Sequence, residues 1–124
     1  MPRPAPTGSL NIGSNGYVTM PYGYGTGSDE RIKTNIKTIE NALDKTLLLR
    51  GVNYNDIRIE PDKLKMGLIA QEVELVIPEV VHTDDKGIKS IEYQNKVGLL
   101  FEAIKEQQQQ INVLKNILIK NNLS

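Results

Sequence analysis

The stretch Gly27-Ser28-Asp29-Glu30-Arg31-Ile32-Lys33-Thr34-Asn35-Ile36 marks the border between two parts of the chain that differ in composition. Residues 1–27 are rich in glycine and proline and show no helical period. Residues 28–124 are charged and amphipathic, as is usual for a folded domain. Ser28 lies on the border, and Lys33 follows it five residues later. The border is therefore either the start of a capped helix or a place where the chain is cut.

Ser28 and the residues that follow it predict a helix over about residues 29–46. A serine followed by two acidic residues suits the start of a helix, where free N–H groups need an acceptor and favour negative charge. Apolar residues then recur at helical spacing, at Ile32, Ile36, Ile39, Leu43 and Leu47. Gly51 breaks this pattern.

Short strands are predicted on both sides of this helix. Upstream, a turn signal separates two strands: Leu10–Ile12, the turn Asn15-Gly16 and Tyr17–Met20. Downstream, alternating residues and turn signals predict strands at Val52–Tyr54 and Ile57–Ile59, a turn at Pro61-Asp62 and a returning strand at Lys65–Leu68. A short helix over Ile69–Val76, stopped by Pro78, and a hairpin of Val80–His82 with Ile88–Ile91 complete this part.

The last part of the chain predicts one long helix from about Glu92 to residue 121, with a coiled-coil segment at 94–121. Two series repeat every seventh residue: Val97, Ile104, Ile111 and Leu118 at heptad position a, and Leu100, Gln107, Leu114 and Asn121 at position d. This stripe is longer than the rest of the chain can cover, which favours a parallel coiled coil with other copies. The heptads alone do not choose between a dimer and a trimer. The alternative is one helix that lies on its own domain.

Composition excludes several classes of function. Lys+Arg and Asp+Glu balance at 15 each, so no charge excess indicates nucleic acid or a membrane surface as partner. The absence of cysteine excludes disulfides and thiolate metal sites, and His82 is the only histidine. The glycine-rich run before Ser28 lacks the Gly-Lys-Ser/Thr ending of a phosphate loop. We therefore expect no metal and no cofactor.

Ser28 and Lys33 are the candidate catalytic pair. A serine hydroxyl needs a base to take its proton, and a lysine can serve when desolvation lowers its pKa. Five residues along an ideal helix rotate by about 500°, which leaves two side chains roughly 140° apart. Ser28 must therefore bend back toward Lys33 from before the helix, or meet a lysine of a neighbouring chain. On chemistry alone, a helix cap is the commoner role for such a serine.

Six motifs in fixed order relate residues 28 to about 115 to a known family. They are Ser28-Asp29-x-Arg31-Ile32-Lys33-x-Asn35-Ile36, Gly51-Val52-x-Tyr54, Gly67–Val73, Pro78–Val81, Ile91–Tyr93 and Leu99-Leu100-x-Glu102-Ala103-Ile104-Lys105-Glu106. In these motifs the chain resembles the intramolecular chaperone auto-processing domains of phage tailspikes and tail fibres, the peptidase S74 or chaperone-of-endosialidase family. Ile32 stands where leucine is commoner in that family.

The resemblance implies an α+β fold, in which a small domain of short antiparallel strands and hairpins carries a long C-terminal helix that forms a trimeric coiled coil. Residues 1–27 would be the end of a triple β-helix fibre, and residues 28–124 the chaperone and auto-protease domain. The implied partners are two further copies of the chain and the fibre part of its own chain. The implied location is a virion tail or neck appendage assembled in the host cytoplasm, from which the chaperone domain is released by cleavage.

The resemblance also implies an autocatalytic serine endopeptidase that cuts once, between Gly27 and Ser28. Ser28 would be the nucleophile and Lys33 the general base, Gly27 would permit a bent backbone, and free N–H groups at the helix start would stabilise the oxyanion. Some phage appendage relatives are associated with nucleotide, so a bound nucleotide is the alternative to our expectation of no cofactor. Two other functions stay open: a trimerisation domain that never cuts, with Ser28 only an N-cap, and the release of a membrane-anchored transcription factor. The last ranks low because the chain reaches Ser124 without a membrane segment.

Overall fold

The computed structural model describes residues 10–14, 17–20 and 23–122, and it confirms the α+β class. The elements follow in chain order: β1 (Asn11–Ile12), β2 (Val18–Thr19), a 3-10 turn (Glu30–Ile32), α1 (Ala42–Leu47), β3 (Val52–Asp56), β4 (Glu60–Gly67), α2 (Ala70–Glu74), a 3-10 turn (Pro78–Val80), β5 (Val81–Thr83), β6 (Lys89–Ile91), a 3-10 turn (Tyr93–Lys96) and α3 (Val97–Lys120). The strands pair as β1–β2, β3–β4 and β5–β6. The chain forms two compact units, one of residues up to Ile36 with Asn55–Leu64, the other of Lys37–Tyr54 with the residues from Lys65 onward.

The second unit contains a small apolar core. Among the described residues, its buried apolar side chains are Ala42, Val73, Ile77, Val80, Leu99 and Ala103. Ala42 belongs to α1, and Leu99 and Ala103 belong to the first half of α3, so the core holds these two helices together. A core of this size leaves little margin of stability, since small domains bury a small fraction of their surface.

Helix α3 presents two different faces. Leu99 and Ala103, four residues apart, are buried against the domain. The heptad stripe lies on another face and stays exposed, with aliphatic side chains at positions a and d between 40% and 64% accessible. The predicted long helix is thus confirmed, and the alternative that it lies on its own domain holds for one face only. The coiled coil stays a prediction, because the stripe has no partner within the described chain.

Glu106 of α3 caps the first turn of α1. Asn41, which precedes α1, has a left-handed φ of 54° and makes no side-chain cap. Instead the Glu106 carboxylate accepts hydrogen bonds from the backbone N–H groups of Ala42, at 3.2 Å, and Leu43, at 2.5 Å. These amides have no acceptor within their own helix, and a carboxylate there also suits the positive end of the helix dipole. The two helices are therefore joined by polar contacts as well as by the core.

The helix predicted at about 29–46 was wrong over most of its length. Only the turn at Glu30–Ile32 and helix α1 are helical, and the chain between them is extended or bent. Asn35 and Asn41 both adopt φ of 54°, a left-handed conformation that ends a right-handed helix. Asparagine accepts this conformation more readily than most residues, and that signal competed with the apolar spacing.

The turn of the β3–β4 hairpin lies earlier than predicted. Residues 57–59, predicted as strand, form the turn, while Pro61 and Asp62, predicted as the turn, lie inside β4. The Asp56 carboxylate fixes this turn because it accepts a hydrogen bond from the Arg58 backbone N–H at 3.0 Å. A connection of three residues between paired strands requires them to be antiparallel.

The remaining local predictions are confirmed where the structure describes them. Strands β1 and β2 pair antiparallel, although the predicted turn Asn15-Gly16 lies outside the described residues. Helix α2 falls within the predicted 69–76 and ends before Pro78. Strands β5 and β6 form the predicted hairpin, with Val81 opposite Ile91. Gly87 in its turn has φ of 81°, which favours glycine.

Gly67 lies where two tyrosines approach the backbone. A Cβ at this position would lie 2.7 Å from the Tyr93 hydroxyl and 3.3 Å from the Tyr54 ring. The same hydroxyl accepts a hydrogen bond from the backbone N–H of Leu68 at 3.0 Å. The absence of a side chain at Gly67 therefore permits the contact between Tyr93 and the end of β4.

We predict that Gly67→Ala lowers the free energy of unfolding by about 1–3 kcal/mol, because the added methyl group displaces Tyr93 and its hydrogen bond. Urea denaturation followed by circular dichroism measures this loss. Gly51→Ala is the matched control, since no atom lies within 4 Å of a Cβ placed there. Equal stability of the wild type and Gly67→Ala would contradict the packing described.

Candidate active site around Ser28 and Lys33

The structure brings the two predicted catalytic side chains together. The Lys33 ammonium donates a hydrogen bond to the Ser28 hydroxyl, with 2.5 Å between Nζ and Oγ. Both residues belong to the first unit, and both are exposed in the single chain. The pair therefore has the proximity that proton transfer needs, without the burial that makes a lysine a base.

A short turn produces this contact. Residues 30–32 form a single 3-10 turn, and Lys33 leaves it in an extended conformation with φ of −118° and ψ of 147°. Ser28 precedes the turn and Lys33 follows it, so the chain reverses between them. The expected geometric conflict is resolved because the two residues do not lie on one helix.

Asp29 is the residue that caps this turn. Its carboxylate accepts a hydrogen bond from the Arg31 backbone N–H at 2.8 Å. The same carboxylate also accepts hydrogen bonds from the Arg31 guanidinium, from Nε at 3.0 Å and from Nη2 at 2.8 Å. These hydrogen bonds hold the pKa of Asp29 below its ordinary value of 3.8 and raise the pKa of Arg31.

The predicted N-cap role of Ser28 was wrong. Asp29 provides the cap, because the short turn begins one residue later than the expected helix. The Ser28 hydroxyl instead meets Lys33. The usual explanation for a serine at such a position therefore does not apply to this one.

Oxyanion donors at the helix start stay a prediction, and three N–H groups of the turn already have acceptors. The N–H groups of the three residues that follow Glu30 donate to Asp29 Oδ1, Asp29 O and Glu30 O, so all three are occupied. Gly27 does not adopt a left-handed φ, and a Cβ on it would make an ordinary contact of 3.5 Å with Ile32. The uncut backbone thus does not require glycine at this position.

Two further polar residues, the single histidine and an aspartate of the β5–β6 turn, have structural roles. His82 Nε2 lies 2.5 Å from the Glu92 carboxylate. Asp84 Oδ1 accepts the backbone N–H groups of Lys86 and Ile88, both at 2.9 Å, and so shapes the β5–β6 turn. In the described ranges no three His, Cys, Asp or Glu side chains are grouped as metal ligands. Nor does any helix there have the length and apolar character needed to cross a membrane.

Sequence reasoning missed Lys96. This lysine is only 9% exposed, and its ammonium lies 3.8 Å from the centre of the Tyr93 ring. Burial lowers its pKa. No local signal reveals this burial, because lysine is among the residues that are seldom buried.

Comparison with known proteins identifies the family. The sequence model described as chaperone of endosialidase, peptidase S74, matches residues 28–82. The match begins at Ser28. Long tail fiber protein Gp37 of Enterobacteria phage K3 is 37% identical over 99 residues, which is 74% of this chain and 8% of the relative. The proteins of the same name from Salmonella phage S16 and Enterobacteria phage M1 are 35% and 34% identical, over 73% of this chain and 13% and 39% of their own lengths.

The resemblance seen in the sequence is therefore confirmed, and residues 28–82 belong to the chaperone-of-endosialidase family. The chain spans less than a tenth of the length of the phage K3 relative and less than half of the phage M1 relative. The family is described as a chaperone of endosialidase, and the relatives are named as long tail fiber proteins.

From the Asp29–Arg31 contact we predict that the turn loses stability at acidic pH, when Asp29 becomes protonated. Because pairing lowers the Asp29 pKa, the ionised carboxylate stabilises the turn above the ordinary pKa, and this contribution is lost as pH falls through the lowered value. The Arg31 amide resonance should therefore titrate in NMR spectra with a midpoint below 3.8. Asp29→Asn should abolish that titration. A midpoint at or above the ordinary value in the wild type would contradict the pairing.

Proposed function

We propose that this chain is an intramolecular chaperone that trimerises a phage fibre protein, assists folding of its triple β-helix and then releases itself. Release occurs by a single cut at the Gly27–Ser28 bond, with Ser28 as nucleophile and Lys33 as general base. The parent protein is then a virion fibre, and residues 1–27 are the end of the part that remains on it.

The observation that carries the proposed cut is the 2.5 Å contact between Ser28 Oγ and Lys33 Nζ. A nucleophile and its base must lie within hydrogen-bond reach, and these two do. The contact also uses a serine whose hydroxyl has no capping role, since Asp29 is the cap. The start of the family match at Ser28 agrees with a functional border at this residue.

The reaction balances with these two residues and one water. Neutral Lys33 takes the hydroxyl proton while Ser28 Oγ attacks the Gly27 carbonyl carbon. The tetrahedral intermediate collapses, the C–N bond breaks, and the Ser28 nitrogen receives the proton from Lys33. Water, deprotonated by Lys33, then hydrolyses the ester between Gly27 and Ser28 Oγ. The products are a carboxylate on Gly27 and a free amine on Ser28.

Assembly supplies what the single chain lacks. The single chain leaves Ser28 and Lys33 exposed to water, and an active site that excludes water strengthens the electrostatic interactions inside it. We infer that neighbouring chains cover Ser28 and Lys33 in the trimer. Cleavage then follows assembly and does not compete with it.

The chaperone role has a physical basis in helix α3. An interwoven triple β-helix depends on contacts between different chains and between residues far apart in the sequence. Folds that depend on such contacts nucleate slowly. A trimer of α3 helices would hold three chains in register and raise their local concentration. Once the chaperone is cut off, the finished fibre lacks the aid it would need to unfold and refold reversibly.

A contact within the first unit agrees with this role. Tyr17 lies upstream of the proposed cut, and Lys63 and Glu60 lie in β4 downstream of it. The Tyr17 hydroxyl accepts a hydrogen bond from Lys63 at 2.9 Å and donates to Glu60 at 3.4 Å. We interpret the β3–β4 hairpin as a surface that holds the fibre segment before release.

The second candidate function is a trimerisation domain that never cuts. The exposure of Ser28 and Lys33 favours it, because nothing in the single chain shields the pair from water. In that case the Ser28–Lys33 contact is an ordinary surface hydrogen bond.

Mass spectrometry of the expressed chain separates the two functions. We expect a fragment that begins at Ser28 from the wild type, and only intact chain from Ser28→Ala and Lys33→Ala. Loss of either residue removes the nucleophile or its base, which lowers the rate by at least about a hundredfold.

Ser14→Ala and Lys37→Ala are the matched controls, and both should be cut like the wild type. Sedimentation of the same samples shows whether they assemble. A wild-type chain that sediments as a trimer and stays intact would rule out the proposed cut and leave the second function.

A further inference from the structure

Two hollows flank helix α3 on the side where α1 packs. The proximal hollow, of about 250 Å³, is largely apolar, and its lining includes Leu49, Arg50, Leu68, Lys96, Leu99 and Leu100. The distal hollow, of about 630 Å³, carries two carboxylates, and its lining includes Asp44, Glu106, Gln110, Val113 and Leu114. Each hollow therefore reaches the exposed heptad stripe, through Leu100 in one case and Leu114 in the other.

Heptad geometry predicts what a second copy would bring to each hollow. With Val97 at position a, Lys96 and Gln110 occupy position g, and Phe101 and Lys115 occupy position e. In a parallel, in-register coiled coil, a g residue faces the e residue five positions later on the neighbouring helix. Lys96 of one chain thus faces Phe101 of the next, and Gln110 faces Lys115.

We propose that a second copy of this chain docks Phe101 into the proximal hollow and Lys115 against the distal one. This inference rests on the proposed self-association and adds its orientation, its register and the side chains that fix them. The docked residues join the helix of one chain to the α1–α3 junction of its neighbour. Each domain is then held by two chains, where the helices alone would leave the domains splayed.

Phe101 matches the proximal hollow in size and chemistry. Its ring is 65% exposed in the single chain, although phenylalanine usually lies in a core. Leucine side chains provide an apolar lining, and the Lys96 ammonium makes no hydrogen bond or ion pair in the described chain beyond its contact with the Tyr93 ring. An aromatic ring is favourable beside such a cation, whereas a second cation is not.

Lys115 matches the distal hollow in charge. In the described part of the chain, neither the Lys115 ammonium nor the Asp44 carboxylate has a hydrogen bond or ion pair. The Glu106 carboxylate in the same hollow is directed to the α1 amides, so the hollow carries two negative charges and no positive one. An incoming lysine complements them, which makes the parallel register specific.

Cross-linking tests this docking directly, since the chain contains no cysteine of its own. Asp44→Cys/Lys115→Cys is treated with a short bis-maleimide, which tolerates the spacing of an ion pair better than a disulfide does. We expect covalent trimers on denaturing gels. The control Asp44→Cys/Lys105→Cys places the second thiol at position b, on the outer face, and should yield no links between chains.

Charge exchange provides the second readout. Asp44→Lys and Lys115→Asp should each raise the concentration at which half of the chain assembles by about tenfold, and the double variant should restore assembly. Phe101→Ala should weaken assembly more than Gln108→Ala, which truncates the next e position. Circular dichroism confirms that each variant keeps its fold.

The outcomes separate this inference from the proposed function. A trimeric wild type overturns the docking alone if the Asp44→Cys/Lys115→Cys variant gives no cross-link between chains, or if the charge exchange gives no recovery. A wild type that stays monomeric overturns self-association and the docking with it. Covalent dimers without trimers support the docking and contradict the trimer.

Discussion

The structure depends on the way helix α3 divides its surface. Its first half packs Leu99 and Ala103 on α1, and Glu106 caps α1 from across the helix pair. This contact commits one face of α3 to the domain's own core. The adjacent heptad face is left exposed, because the small domain has no further surface to cover it. The same packing that folds the chain thus leaves this apolar face without a partner among the described residues.

Ser28 and Lys33, the candidate catalytic pair, are likewise exposed in the single chain. A capped turn places the hydroxyl and the ammonium in contact, so no large rearrangement is needed to form the pair. Water surrounds the pair in the single chain, however, whereas an enzyme's active site usually excludes water. In our proposal, the step that removes this water is the step that assembles the trimer. An exposed pair in a single chain is then a safeguard against early cleavage, since a monomer that cut itself would lose its means of assembly.

Sequence patterns predicted those elements whose signals are local and unopposed. Helix α3 and the β5–β6 hairpin follow directly from heptad spacing and turn residues. The helix at 29–46 failed because the isoleucine spacing indicated a helix while Asn35 and Asn41 adopt the left-handed conformation that ends one. The hairpin turn was misplaced because Pro61, a common turn residue, also fits an edge strand of a two-stranded sheet.

The candidate pair was named from the sequence, but the geometry that joins its two side chains was not predicted. The motif around Ser28 identified the pair, but a short turn capped by Asp29, and not a helix capped by Ser28, brings the pair together. The cap that Glu106 provides for α1 lay beyond local reasoning, because 64 residues separate it from Ala42. Lys96 was missed for a related reason, since only tertiary packing buries it.

The most direct test of the account is the cleavage state of a chain that folds and cannot assemble. Ile104→Asp/Ile111→Asp changes two exposed stripe residues and leaves the α1 contact intact. The account predicts a monomer by sedimentation, with native circular dichroism and an uncut Gly27–Ser28 bond by mass spectrometry. A folded monomer that is fully cut would contradict the claim that assembly completes the site.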